Sequence, residues 1–352
     1  MGKTKIYVSV QELKAGMISA QKIMFNNLIL ISPGLIFTES IIGKLKEKYL
    51  FDKVLIYSDQ EVEESDLPKQ KTVEEIEKSF QEFSDIVEDM FSTIENTNKA
   101  NVDEIRLFGK KIQDELGPPS LVIKNIVLHG SGDDCIYRHS VNVAALSSMI
   151  GNWMGLDEKE VNLLTYAAIL HDFGKTKIDK RILSKSDTLT RGEYELIKKH
   201  PIIGYEFAKN IPYLHQTVGY GIVMHHERLD GSGYPLRLKG NEIHLFAKII
   251  AISDVFDAIN SDRPYRKKMD PFSALETIRR ESLGRLDYEC CKMFIEHVAN
   301  YYIGEKVLLS NNKVCKIVQV DFKNLSKPLL LSDSGFIDFK NEKGVSIERL
   351  ML

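Results

Sequence analysis

The sequence predicts a mainly α protein. It has an all-helical core over residues 119–300, reached from a small N-terminal α/β domain (1–60) through an acidic linker and amphipathic helix (61–118), and followed by a small β module (301–352). Three observations predict this layout. Residues 119–300 carry long segments of helical apolar period, such as EKEVNLLTYAAILHDFGK and IHLFAKIIAISDVFDAIN. Both ends of the chain instead carry short apolar runs parted by turn residues. A length of 352 residues is too great for one small core and suits two or three domains.

In order along the chain, IYVSV, LILI and KVLIYS alternate with the turn signals AG, NN and PG, and IIGKLKEKYL between them has helical spacing. DQEVEESDLPKQK is acidic, broken by Pro68 and poor in apolar residues, so it reads as a linker. From Thr72, apolar residues recur at Ile76, Phe80, Phe83, Val87, Met90 and Ile94 in steps of four and three. Such a stripe either packs on its own domain or makes residues 72–118 a homodimerisation helix. After Tyr302, EKVLLS, KVCKIVQV and PLLLS are β-type runs separated by SNN, NLSKP and SDSG.

Composition excludes some classes of partner. With 47 basic and 50 acidic residues the formal charge is -3, so no global positive field gathers a nucleic acid polymer or an anionic membrane, and an anionic ligand needs a local cluster. The four cysteines, Cys135, Cys290, Cys291 and Cys315, form no C-x-x-C pair, which suits a reducing compartment. The first residues hold no continuous apolar run, and nowhere do about 20 residues run apolar without charge. The expectation is a soluble, cytoplasmic protein.

Five of the nine histidines stand beside another candidate ligand or inside a dense polar motif: His139 in YRHSVNVAAL, His171 beside Asp172 in AAILHDFGK, His200 in KKHPIIG, and His225 and His226 opening HHERLDGSGYP. Asp254 lies in AISDVFDA. Apolar helical runs next to most of these carry them inward, and burying so many ionisable groups unpaired costs several kcal/mol each, so they must share something. A metal cluster satisfies them together, because imidazoles and carboxylates suit first-row divalent ions and a carboxylate can join two of them. Neighbours on a helix diverge by about 100 degrees, which places His171 and Asp172 together only at the edge of a cavity, with the helix ending soon after, at Gly174. His129, His215, His244 and His297 read as surface or satisfied core residues.

The ordered series H-x-x-x-V (His139), HDxGK (His171, Asp172, Gly174, Lys175), KxHP (His200), HHERxDGxGYP (His225 to Pro235) and SDVFDAxxSDRPYR (Ser253 to Arg266) resembles the HD-GYP family of bacterial cyclic-di-GMP phosphodiesterases over about residues 120–300. The resemblance implies an all-helical HD-type metal-binding core. It implies that His139, His171, Asp172, His200, His225, His226 and Asp254 are metal ligands, with Asp172 as the bridge. It implies two divalent ions, with iron favoured and manganese or zinc as alternatives, and hydrolysis of cyclic-di-GMP to linear pGpG, with GMP as a further product. Lys175 would assist at the phosphate, on the same helical face as the HD pair if the helix persists. Arg263 and Arg266 match the family's contacts to phosphate and guanine, roles that suit a planar guanidinium fork; pairing of Arg263 with Asp257 or Asp262 is the alternative. Gly233, Tyr234 and Pro235 read chiefly as a structural turn, to which the resemblance adds docking of cyclic-di-GMP synthase domains.

The sequence departs from the family at Cys135, where some members carry a glutamate that binds a third metal; two metals are therefore expected. Two other readings stay open. One is a phosphodiesterase for another cyclic dinucleotide, such as cyclic GMP-AMP, and the other is a regulator that binds cyclic-di-GMP with little turnover.

Overall fold

The computed structural model describes residues 4–20, 23–25, 28–31, 36–48, 53–58, 72–97, 99–132, 136–185, 187–261, 269–333, 335–339 and 344–351. The chain divides into two compact units, Met1–Lys71 and Thr72–Leu352.

In the first unit, β1 (Thr4–Ser9), β2 (Ile18–Ser19) and β5 (Lys53–Ser58) form an antiparallel sheet of order β1-β5-β2, and β3 (Ile23–Phe25) pairs with β4 (Leu28–Ile31) as a hairpin. The alternation in KVLIYS places Val54 and Ile56 on one face of β5. There they share a core with Val10, Leu13 and Phe37, and with Ile42 and Leu45 of helix α1 (Glu39–Lys48). This is the small α/β arrangement that the sequence predicts.

The second unit is built from α2 (Val73–Thr97), α3 (Val102–Glu115), α4 (Pro119–His129), α5 (Ile136–Trp153), α6 (Glu158–Leu170), the short α7 (Lys180–Leu183) and α8 (Arg191–Ile197), α9 (His200–Ala208), α10 (Gln216–Met224), α11 (Leu245–Asn260), α12 (Pro271–Glu281) and α13 (Tyr288–Tyr302). Helix α5 is buried over nearly its whole circumference, polar Arg138, His139, Asn142 and Ser147 included, and packs against α2, α6 and α11. Helix starts are fixed locally. Asp157 and Glu160 form a capping box on α6, and His215 and His244 cap α10 and α11 by accepting backbone N–H bonds. Those two histidines are thus accounted for as caps.

The stripe on α2 is covered within this unit. Ile76, Phe80, Phe83, Val87, Met90 and Ile94 are all buried, so the face offered by the sequence for homodimerisation through 72–118 is occupied by the chain's own helices α4 and α5. Nor does the core break near residue 118 or 300. It continues from α2 through the helices into a five-stranded antiparallel sheet of β6 (Lys306–Leu309), β7 (Val314–Gln319), β8 (Leu329–Ser332), β9 (Gly335–Asp338) and β10 (Ile347–Leu350), in the order β10-β6-β7-β8-β9. Among the described residues, no helix is long and apolar enough to cross a membrane.

Candidate metal centre

The site gathers where α5, α6, α9, α10 and α11 meet. His139 comes from the first turn of α5, His171 and Asp172 from the end of α6, His200 from the start of α9, His225 and His226 from the end of α10, and Asp254 from the middle of α11. All seven side chains singled out from the sequence as ligands therefore converge. They form two groups: Asp172, His200, His225 and His226 in one, and His139, His171 and Asp254 in the other, with donor atoms inside each group within 4.8 Å of one another.

Hydrogen bonds on the far side of the rings settle which nitrogen faces inward. His171, His200 and His225 bring Nδ1 to within 2.6, 2.7 and 2.6 Å of the carbonyls of Ala168, Ile197 and Ile222. A carbonyl only accepts, so each Nδ1 carries the proton and each Nε2 presents a lone pair. His139 does the same with a carboxylate, its Nδ1 lying 2.6 Å from Asp257 Oδ2. The Nε2 atoms then crowd together, at 3.3 Å between His139 and His171 and 3.2 Å between His200 and His225. Lone pairs this close repel unless a cation lies between them.

Asp172 stands between the groups. Its Oδ2 lies 3.5 and 3.6 Å from Nε2 of His139 and His171, and its Oδ1 lies 3.2 Å from Nε2 of His200. Oδ1 is buried and accepts no hydrogen bond, an orphaned anionic atom of the kind a metal satisfies. The donor set and this orphaned oxygen fit two divalent ions joined by one carboxylate.

The electrostatics agree. Burial pushes His171 down to about 4 and holds His225 and His226 well below the usual imidazole range, which keeps them neutral. Burial also opposes charge on His139, but its hydrogen bonds to Asp254 and Asp257 outweigh it and raise the ring to about 10, so without another cation it carries the positive charge itself. Burial alone would raise Asp172, yet the Lys175 ammonium holds its carboxyl well below the carboxylate range.

Two expectations need correction. Helix α6 does not persist to Lys175; it stops at Leu170, and Phe173–Lys177 form a 3-10 turn. With three residues per turn, that geometry sets residues three apart in line, and Lys175 Nζ donates to Asp172 Oδ2 at 2.6 Å. Nor does the helix end at Gly174, which lies four residues past its last residue, Leu170. A Cβ on Gly174 would lie 2.0 Å from the His200 carbonyl oxygen, so the glycine lets two ligand-bearing turns touch.

The roles of Asp257, Asn142 and Glu227 at the site are not read from the sequence. Asp257 is three residues beyond Asp254 on the same helix face, a spacing that could have marked it. Asn142 Nδ2 donates to Asp257 Oδ1 at 2.6 Å. Glu227 is buried, and its carboxylate accepts the backbone N–H groups of Leu236 (2.6 Å), Arg237 (3.1 Å) and Leu238 (3.1 Å), pinning the loop after HHERLDGSGYP. Within that loop, Gly231 takes a φ of +80° and Ser232 donates to Asp230, the tight turn expected. A Cβ on Gly233 would meet the backbone of Glu227 and Arg228 at 2.4 Å. The Tyr234 ring stacks on His226 with centroids 4.6 Å apart. Arg263, Arg266 and Cys135 lie outside the described residues.

Residues 125–290 match the family model of the HD domain. Over this segment the chain is similar to HD domains. Its relatives include a cyclic di-GMP phosphodiesterase of Thermotoga maritima, 44% identical over 176 residues that make up 48% of this chain and 47% of that protein. A cyclic di-GMP phosphodiesterase of Pseudomonas aeruginosa is 34% identical over 200 residues, 56% of this chain and 48% of that one. The 3'3'-cGAMP-specific phosphodiesterase 1 of Vibrio cholerae is 32% identical over 210 residues, 57% of this chain and 47% of that one. The chain spans about half the length of these curated relatives. A solved structure, an HDG"Y"P protein of Bdellovibrio bacteriovorus, shares the fold with a TM-score of 0.52 at 20% identity, covering 83% of this chain and 99% of that one.

Proposed function

We propose that this HD domain hydrolyses a phosphodiester bond of cyclic-di-GMP, giving linear pGpG and, by a second cleavage, GMP. The observation that carries the reading is Asp172, one oxygen turned to each ligand group. The two groups would hold two divalent ions, iron first and manganese or zinc as alternatives, which would supply an activated water and neutralise phosphate oxygens. The chain's own residues supply the rest. His171, His200 and His225 have their tautomers fixed by backbone carbonyls. Lys175, bonded to Asp172 and a quarter exposed, is placed to meet the developing charge on phosphate. Arg263 and Arg266, which follow α11 in sequence, are assigned to phosphate and guanine. A synthase domain docking on the turn at Gly233, Tyr234 and Pro235 would meet exposed Leu236 and Arg237, since Gly233 is buried. The cytoplasm, where cyclic-di-GMP is made, is the assigned compartment.

The name of the Vibrio cholerae relative favours one second reading, cleavage of cyclic GMP-AMP. Anaerobic purification, elemental analysis and incubation of the same sample with both dinucleotides separate the readings. The expected result is two metals per chain and pGpG formed faster than the cyclic GMP-AMP product. Asp172→Ala should lower the metal content and reduce turnover by at least about 10³-fold. Full metal occupancy and tight binding without product would instead identify a cyclic-di-GMP sensor.

A further inference from the structure

Helix α2 lies outside the matched HD segment, yet one unbroken chain of side-chain hydrogen bonds runs from it to the metal centre. It begins at Glu77, whose two oxygens receive Arg138 Nη1 at 3.0 Å and Nη2 at 2.6 Å. Asn125 locks this fork by donating to Glu77 at 2.9 Å and accepting from Arg138 at 3.1 Å. Arg138 Nε donates to Asn142 Oδ1 at 3.1 Å, Asn142 Nδ2 donates to Asp257 Oδ1 at 2.6 Å, and Asp257 Oδ2 takes the Nδ1 proton of His139 at 2.6 Å.

We propose that Glu77 is a positioning residue for the metal centre: through Arg138, Asn142 and Asp257 it fixes the His139 imidazole, so that α2 sets how firmly the His139, His171 and Asp254 group holds its ion. Each link dictates the direction of the next. Because Arg138 occupies the Asn142 carbonyl, the Asn142 amide must aim its N–H at Asp257, and a flipped amide would set two oxygens face to face. Because Asp257 is held there, it accepts from His139 and leaves Nε2 bare for the metal. His171, His200 and His225 differ in kind. Each is anchored by a backbone carbonyl three residues back in the chain, and by no side chain. Among the described residues, His139 is the one ligand histidine whose Nδ1 hydrogen bond goes to a side chain of another helix. Helix α2 is also the first element of the second unit, so the chain leaving the N-terminal unit enters this relay within two turns.

The inference rests on the metal-centre reading above, and the test separates the two. Full-length protein stripped with a chelator is titrated with Mn²⁺ and the melting temperature is recorded in parallel. Wild type should take up two ions. Glu77→Gln should weaken one of the two sites by about tenfold and leave the other within twofold. Should that variant not fold, Glu77→Leu combined with Arg138→Met replaces the ion pair by apolar packing and carries the same expectation. Asn142→Ala should weaken the same site, and combining it with Glu77→Gln should add nothing, because both cut one chain. A Glu77 variant that lowers only the melting temperature, with both affinities within twofold of wild type, overturns the proposal, as do additive effects in the combined variant. No uptake of Mn²⁺ by wild type would overturn the metal-centre reading and this proposal with it.

Discussion

Four of the five clustered imidazoles are oriented by a hydrogen bond at Nδ1, while His226 has no ring hydrogen bond among the described residues and is oriented by the stacked Tyr234. That stack depends on Glu227, whose carboxylate gathers three consecutive backbone amides and holds Arg237 at a φ of +58°, a conformation costly for a side chain with Cβ. A glutamine there keeps one acceptor and turns a donor toward an amide. Glu227→Gln should lower stability by about 1.5–3 kcal/mol in urea unfolding, since bonds to a buried charge are the strong ones; an unchanged midpoint would show that the loop holds itself. His297 yields a pH prediction. It is buried, lies flat on Trp153 with centroids 4.3 Å apart, and burial pushes its pKa down to about 4 from an unfolded value of 6.5. The unfolded chain therefore binds this proton more readily. The stability in question is present above pH 6.5 and is lost as pH falls toward 4, by up to about 3 kcal/mol at 1.36 kcal/mol per unit. His297→Phe preserves the stack and should flatten that part of the decline relative to wild type, whereas parallel curves would remove His297 as its source.

At the scale of elements, the site is made of helix ends around Asp254 in the middle of α11. His171 follows α6, His200 opens α9 and His225 follows α10, so each ring uses the last or first turn's carbonyl as its anchor. These motifs were legible because they are short-range: the HD pair, the HH pair and the spacing of Asp254 survive any packing of the helices. What the sequence hid depends on packing. Glu227 finds its partners among backbone amides that carry no residue signature. Arg138 finds Glu77 61 residues away only because α2 lies on α5. The 3-10 turn after Asp172 is hidden for the same reason, since Gly174 is required by a contact with His200 and not by its own backbone. Gly174→Ala forces a Cβ into the His200 carbonyl and the Gly204 amide. It should destabilise the protein by at least about 1–3 kcal/mol and weaken metal uptake by the group containing His200. Normal stability with normal Mn²⁺ binding would show that the two turns can part freely.

At the scale of the whole second unit, the helical core and the C-terminal sheet are one hydrophobic body. Leu330 of β8, Val307 and Leu309 of β6, and Ile317 of β7 belong to the same buried cluster as Ile150, Phe256 and Phe294, and Tyr302 packs edge-on to Phe272 where α13 leads into the sheet. A module joined only by its chain connection would unfold by itself and leave the helices unaware. A shared core makes the sheet's stability part of the helices' stability, because neither can shed its partner without exposing apolar surface. The protein carries its own reporter, the sole tryptophan, Trp153, at the end of α5 on the helical side. Leu330 is fully buried, so Leu330→Ala should cost about 2–5 kcal/mol. That loss should appear as a lower urea midpoint in Trp153 fluorescence and in helical circular dichroism alike. If the Trp153 midpoint stayed fixed while the sheet melted early, residues 301–352 would be an independent module after all, and the coupling read from their common core would be wrong.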